Sequence, residues 1–266
     1  MVNVVAYQQV DLTDLLIKGH LADTGSAVLS QRSSSGFKVH QGDNSIKADF
    51  FFKGHDIKYV GGYPWQGSIT SLLIKINGDT AYTFSGTKMS VQEAWKIYNM
   101  DDPMQVGARV LKGNDNIKGS AFDDMLWGFN GNDTIFGRGG SDKLVGGNGR
   151  DVMDGGAMND TFVFRTLAES VVGAKRDTIN NFNNTQTDRI DLSLIDADRL
   201  TDGNQAFTFI GSDAFSDHVG ENVGLVRVVP QGAGWLVQVD VRGTAKTVDM
   251  EIKVFGTMPV EADFFL

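Results

Sequence analysis

An aspartate recurs at every ninth position in the middle of the chain: Asp115, Asp124, Asp133, Asp142, Asp151 and Asp160. Two residues after each stands an apolar side chain (Ile117, Leu126, Ile135, Leu144, Met153 and Phe162), and five repeats open on glycine: Gly119, Gly128, Gly137, Gly146 and Gly155. At a usual glycine content of about 7%, five hits at preset positions have a chance probability on the order of one in a million. A period this short and strict gives every copy the same local backbone, so the copies stack as a solenoid and bury the apolar position between them. Glycine permits the tight turns, and the three residues around the apolar one form a short strand with that side chain inward. Two repeats complete one coil. Asp115, Asp133 and Asp151 then line one edge of the stack, and Asp124, Asp142 and Asp160 line the other.

Each edge is predicted to be a ladder of carboxylates and turn carbonyls, the latter from Gly113, Gly131, Gly140 and Gly149. Hard oxygen donors suit Ca²⁺, which takes six to eight of them in flexible geometry, better than Zn²⁺, which prefers nitrogen and sulfur. Stacked carboxylates repel, and a glycine-rich chain loses much entropy on ordering, so the ion is expected to be a folding cofactor. The pattern resembles G-G-x-G-x-D-x-U-x, the calcium-binding RTX nonapeptide of parallel β-rolls. Its fullest copy runs Gly146-Gly147-Asn148-Gly149-Arg150-Asp151-Val152-Met153-Asp154. Phe122 and Met158 replace the fourth-position glycine, and Leu111, Ser120, Phe129 and Arg138 replace the second, so about three to four ions are expected rather than a full set. A flexible linker would not hold an apolar residue in period. No EF-hand loop D-x-[DN]-x-[DN]-G ending in Glu is present.

The segments after the repeats are Asp177-Thr178-Ile179-Asn180-Asn181-Phe182, the run Asp188 to Ala197, and Asn204 to Gly211. With the repeats, they resemble the C-terminal domain of serralysin-type proteases, a domain also found on mannuronan epimerases and some lipases exported by type I secretion. The resemblance spans about Val110 to Leu266. It implies a segment that closes the roll and adds Asp177 and Asp188 as calcium ligands, although Asn181 stands where the family has Asp. Asp240-Val241-Arg242-Gly243 and Asp249 resemble the family's D-x-x-G-D loop, but Thr244 replaces its second acid, and no ion is assigned there. The final residues Asp263, Phe264, Phe265 and Leu266 resemble the family's type I secretion signal, or else form a last strand tucked into the core; the two readings are compatible. The implied partner is the type I secretion machinery, and the implied location is secreted and extracellular.

Charge and composition agree with that expectation. The formal net charge of −9 argues against a nucleic-acid partner, which needs a basic face. No apolar run is long enough for a membrane span, and the N-terminus lacks the basic start and apolar stretch of a secretory signal. With no cysteine, the chain has no disulfide framework and no thiolate metal site.

Residues 1–109 carry ten acids and ten bases and no catalytic signature. His20, His40 and His55 are each followed by a residue other than Glu, so the H-E-x-x-H of the proteases is missing, and no G-x-S-x-G elbow is present. Asp23-Thr24-Gly25-Ser26 is a single aspartic-protease tetrapeptide, whose chemistry needs two carboxylates. Leu72–Ile76 and Thr80–Phe84 around Asn77-Gly78 read as a hairpin, Phe37–His40 and Ile46–Phe52 as strands, and Ser90-Val91-Gln92-Glu93 as the start of a short helix. The loop Gly61 to Gly67 presents Tyr63 and Trp65, flat amphipathic faces suited to a sugar ring or a protein partner; otherwise it forms a corner that caps the roll. The expectation is therefore a mainly β chain: a β-rich N-terminal domain with short helices (1–109), a parallel β-roll (110–163) and a β-rich C-terminal domain (164–266). Its expected function is that of a secreted calcium-binding protein, non-enzymatic, in a matrix, surface or partner-binding role. The alternative is a small secreted enzyme acting on polysaccharide or protein through carboxylates such as Asp23, Asp49, Asp56 and Asp79.

Overall fold

The computed structural model describes six strands within residues 3–90, together with residues 111–218, 224–241 and 248–266. The first strands are β1 (Asn3–Ala6), β2 (Val28–Ser33), β3 (Gly36–Gly42), β4 (Lys47–Val60), β5 (Tyr63–Ile76) and β6 (Asp79–Ser90). β2 to β6 form an antiparallel meander. The hairpin expected around Asn77-Gly78 is the β5–β6 pair, with Ile76 opposite Asp79. Asn77, Gly78 and the helix expected from Val91 onward lie outside the described residues.

The aspartate repeats fold into eight-strand parallel stacking on two faces. β7 (Asn116–Lys118), β9 (Thr134–Gly139), β11 (Val152–Ala157) and β13 (Asp177–Phe182) form one face. β8 (Met125–Trp127), β10 (Lys143–Val145), β12 (Thr161–Val163) and β14 (Arg189–Asp191) form the other. The register aligns Ile117, Ile135, Met153 and Ile179 in one column, and Leu126, Leu144, Phe162 and Ile190 in the second. All eight are buried. A three-residue strand has one inward position, so a single apolar residue per repeat suffices to build this core.

A solenoid leaves apolar surface and unpaired strand edges at its ends, and both must be covered. Beyond the roll come β15 (Thr208–Phe209), β16 (Leu225–Gln231), β17 (Gly234–Asp240), β18 (Met250–Gly256) and β19 (Phe264–Phe265). β18 lies parallel to β13 and opens an antiparallel β16–β17–β18 sheet, while β19 lies parallel to β14. At the other end β1 lies parallel to β7 and antiparallel to β6, so one sheet runs through 14 strands and the second through five. Ile69 of β5, with Phe52 and Met89 against it, belongs to the same apolar cluster as Leu111 and Ile117. The described helices are 3₁₀ turns of three or four residues. Among the described residues no helix is long and apolar enough to cross a membrane.

One local expectation is corrected. Tyr63 and Trp65 do not lie in a loop; they open β5, with Val60 opposite Tyr63 and Lys58 opposite Gln66. The chain reverses within the two residues between β4 and β5, so the aromatic residues fall on the strand side, where aromatic side chains are favoured. Their side chains lie outside the described residues.

Candidate metal centre

Within each column of aspartates, the carboxylate of one coil accepts the backbone N–H of the coil before it. Oδ1 of Asp133 accepts from Asp115 N–H at 2.7 Å, Asp151 from Asp133 at 2.7 Å, and Asp177 from Asp151 at 2.7 Å. On the other edge Asp142 accepts from Asp124 at 2.7 Å, Asp160 from Asp142 at 3.0 Å, and Asp188 from Asp160 at 3.1 Å. Asp177 and Asp188, assigned by resemblance, therefore continue the two ladders as their next rungs. A parallel row at the preceding position adds Asn114 Oδ1 to Asn132 N–H, Asn132 Oδ1 to Arg150 N–H and Asp123 Oδ1 to Ser141 N–H.

The second carboxylate oxygen has a different environment. Oδ2 of Asp133, Asp142, Asp151, Asp160 and Asp177 is buried without a hydrogen-bond partner. A buried carboxylate oxygen left unpaired is costly, so it marks a place for a cation or a proton. The opening glycine of each repeat explains how the place is made. A Cβ on Gly119 would meet Asp124 Oδ2 at 2.7 Å and the carbonyl of Gly137; one on Gly128 would meet Asp133 Oδ2 at 2.6 Å and the carbonyl of Gly146; one on Gly137 would meet Asp142 Oδ2 and the carbonyl of Gly155. At these three steps the missing side chain leaves a cradle where a carboxylate and the next coil's carbonyl converge. Among the described residues no three acidic or imidazole side chains converge on one point. A cation at a ladder step is thus held by few carboxylates and completed by carbonyl oxygens, a donor set that fits Ca²⁺ and not Zn²⁺.

The fourth-position glycines act through backbone conformation. Gly113, Gly131, Gly140 and Gly149 have φ of 121°, 141°, 106° and 142°, and a Cβ on Gly131 would strike the carbonyl of Gly113. The roll imposes this geometry even where the sequence departs from glycine: Phe129, Arg138 and Met158 sit at φ of 70°, 81° and 82°. Ser120 departs differently, because its N–H donates to Asp124 Oδ2 at 2.5 Å and so supplies that carboxylate from the chain itself.

Burial sets the electrostatics. It pushes Asp133 up to about 8, reinforced by the charges of Asp151 and Asp115 and opposed by the hydrogen bond from Asp115. Burial likewise raises Asp142, Asp151 and Asp160 to about 7 each, and Asp177, with Asp151 beside it, to about 9. Asp188 is raised by the same cause. These carboxylates resist ionisation until a cation compensates them.

Two acids outside the nine-residue register also enter the picture. Glu169, in the 3₁₀ turn Leu167–Glu169, is buried and held by Arg165 through its N–H at 2.8 Å and its guanidinium at 3.0 Å. Its charge raises Asp151 and Asp177. No periodic signal points to it, since it lies in the insert that breaks the repeat. Asp240 is buried with both oxygens unpartnered. Asn181 takes φ of 56°, which Asn tolerates, and donates to Asp154 Oδ2 at 2.6 Å; it serves the bulge of β13, not the ladder. The tail residues Asp263, Phe264, Phe265 and Leu266 include β19: Asp263 accepts Val260 N–H at 2.9 Å, and Phe264 packs on Phe209 with ring centroids 5.5 Å apart. Of the alternative acids, Asp49 and Asp56 lie on β4 and Asp79 opens β6, with side chains outside the described residues, as is Asp23 altogether.

Two parallel faces with an oxygen-donor ladder along each edge define a β-roll of the calcium-binding RTX type. Residues 109–266, more than half the chain, match the family described as Peptidase M10 serralysin C terminal, and the chain belongs to that family. Among solved structures it is similar to the solution structure of the AlgE6R3 subunit of the Azotobacter vinelandii mannuronan C5-epimerase, at 26% identity and a TM-score of 0.37 over 54% of this chain and 71% of that one. The AlgE6R2 subunit of the same enzyme matches at 26% identity and a TM-score of 0.35, over 56% of this chain and 91% of that one. No curated protein matches the chain.

Proposed function

We propose that this is a secreted protein whose roll folds on meeting extracellular calcium, and whose residues 1–109 serve a non-enzymatic matrix, surface or partner-binding role. The observation that carries the calcium reading is the row of buried Oδ2 atoms in glycine-lined cradles. Asp115, Asp124, Asp133, Asp142, Asp151, Asp160, Asp177 and Asp188 would supply carboxylates, and the turn glycines carbonyls, for about three to four ions. Calcium would neutralise the ladders and join successive coils. Binding coupled to folding suits a chain that must stay open inside the cell and close outside. The packing of Phe264 in β19 supports the same order of events, because the folded state hides part of the tail that export would read. The unit boundaries 1–109, 110–163 and 164–266 belong to this proposal.

Full-length protein in EDTA is expected to lack most of the β circular dichroism that millimolar Ca²⁺ restores; an unchanged spectrum would contradict calcium-driven folding. Removal of Asp263 to Leu266 is expected to abolish export, and normal secretion would count against the signal. Cosedimentation with the producer's cells and extracellular polysaccharide in Ca²⁺, retained by the full chain and lost without residues 1–109, would support the adhesive role. Shortening of the polymer would instead favour an enzyme.

A further inference from the structure

Asp240 ends β17, and Asp249 immediately precedes β18. Val239 pairs with Met250, and Asp249 N–H donates to Val239 O at 2.8 Å, so the two acids meet across the open end of this hairpin. Asp249 Oδ2 accepts Val241 N–H at 2.8 Å, which fixes its carboxylate there. Asp240 is fully buried, and neither of its oxygens meets a donor.

The remaining buried acids outside the ladders, among the described residues, are supplied by the protein: Glu169 by Arg165, Glu251 by Arg176 and Gln238, and Asp263 by Val260 N–H. The arginine nearest along this face, Arg227, is engaged with Gln238 and the carbonyl of Asp213. Two adjacent carboxylates in a buried place must therefore share a proton or hold a cation. In the roll, a single unpartnered buried oxygen per aspartate marks each cradle; Asp240 has two.

We propose that Asp240 and Asp249 together hold a hard divalent cation of calcium's class at the end of the β17–β18 hairpin, separate from both ladders. Thr244 removes the acid that a linear motif would look for, but the pair is assembled across the hairpin and does not depend on it. The ion ties the ends of β17 and β18 as the ladder ions tie coils.

The test is an ion count on full-length protein dialysed to equilibrium against Ca²⁺ and analysed by atomic emission. Asp240→Asn and Asp249→Asn are each expected to bind one ion fewer than the wild type while keeping the calcium-induced circular dichroism of the roll. An unchanged count in either folded variant overturns the proposal. The wild type gives a readout that needs no variant: with calcium saturating, a surviving protonated-carboxyl infrared band that Asp240→Asn removes would show that the pair shares a proton instead.

Discussion

At the scale of single residues, glycine has two separable jobs in this roll. At Gly137 it leaves room for Asp142 Oδ2 and the carbonyl of Gly155, whereas the space around Gly139 is open. Gly137→Ala is therefore expected to raise the calcium midpoint of folding several-fold, at an overpacking cost of about 1–3 kcal/mol, and Gly139→Ala to leave it nearly unchanged. Both are read from calcium titrations by circular dichroism. Where side chains sit at positive φ, the cost is backbone strain of about 1–2 kcal/mol, partly offset by the entropy glycine would lose on folding. Met158 is exposed and packs on little, so Met158→Gly is expected to stabilise by about 0.5 kcal/mol in urea melts at fixed calcium. Phe129 is buried and stacks on Trp127 at 5.7 Å, so Phe129→Gly is expected to destabilise despite relieving the same strain.

At the scale of the element, each ladder behaves as a row of coupled acids. Their folded-state pKa values lie near 7 to 9 without calcium, above the 3.8 of a free aspartate. The calcium-free roll thus binds more protons than the unfolded chain between these values. Its stability from these groups is full below about pH 4 and is lost as pH rises through 7 to 9. Calcium requires the ionised form, so binding must expel protons across that window. The apparent calcium affinity is expected to fall from pH 9 to pH 6, and calorimetric heats at pH 6 to depend on the buffer's ionisation heat. Heats independent of buffer at pH 6 would contradict the raised values.

At the scale of the whole molecule, the roll is the middle of a longer assembly. β1 extends one face at the N-terminal side, and β18 and β19 extend both faces at the other. The last strand closes an edge and covers the roll's apolar end with Phe264. Phe264→Ala is expected to cost about 3 kcal/mol in calcium-saturated urea unfolding, whereas Phe265→Ala, at a half-exposed position, is expected to cost much less. Equal losses would mean that β19 is not docked as described.

The nine-residue spacing of Asp115 to Asp160, with one apolar residue and one glycine in each period, determined the coil, its two edges and the oxygen chemistry along them. A repeat this short is written by near neighbours, whose turn and strand preferences are local and identical from copy to copy. Asp177 and Asp188 were legible by family resemblance, but their placement as the next rungs, 26 and 28 residues beyond their partners, depended on the path of the intervening chain. Glu169 beneath the first ladder, the strand position of Tyr63, the joining of β1 to β7, and the meeting of Asp240 with Asp249 were likewise decided only in three dimensions. Each brings together groups distant in sequence, and it is burial and sheet register, not spacing along the chain, that sets which of them touch.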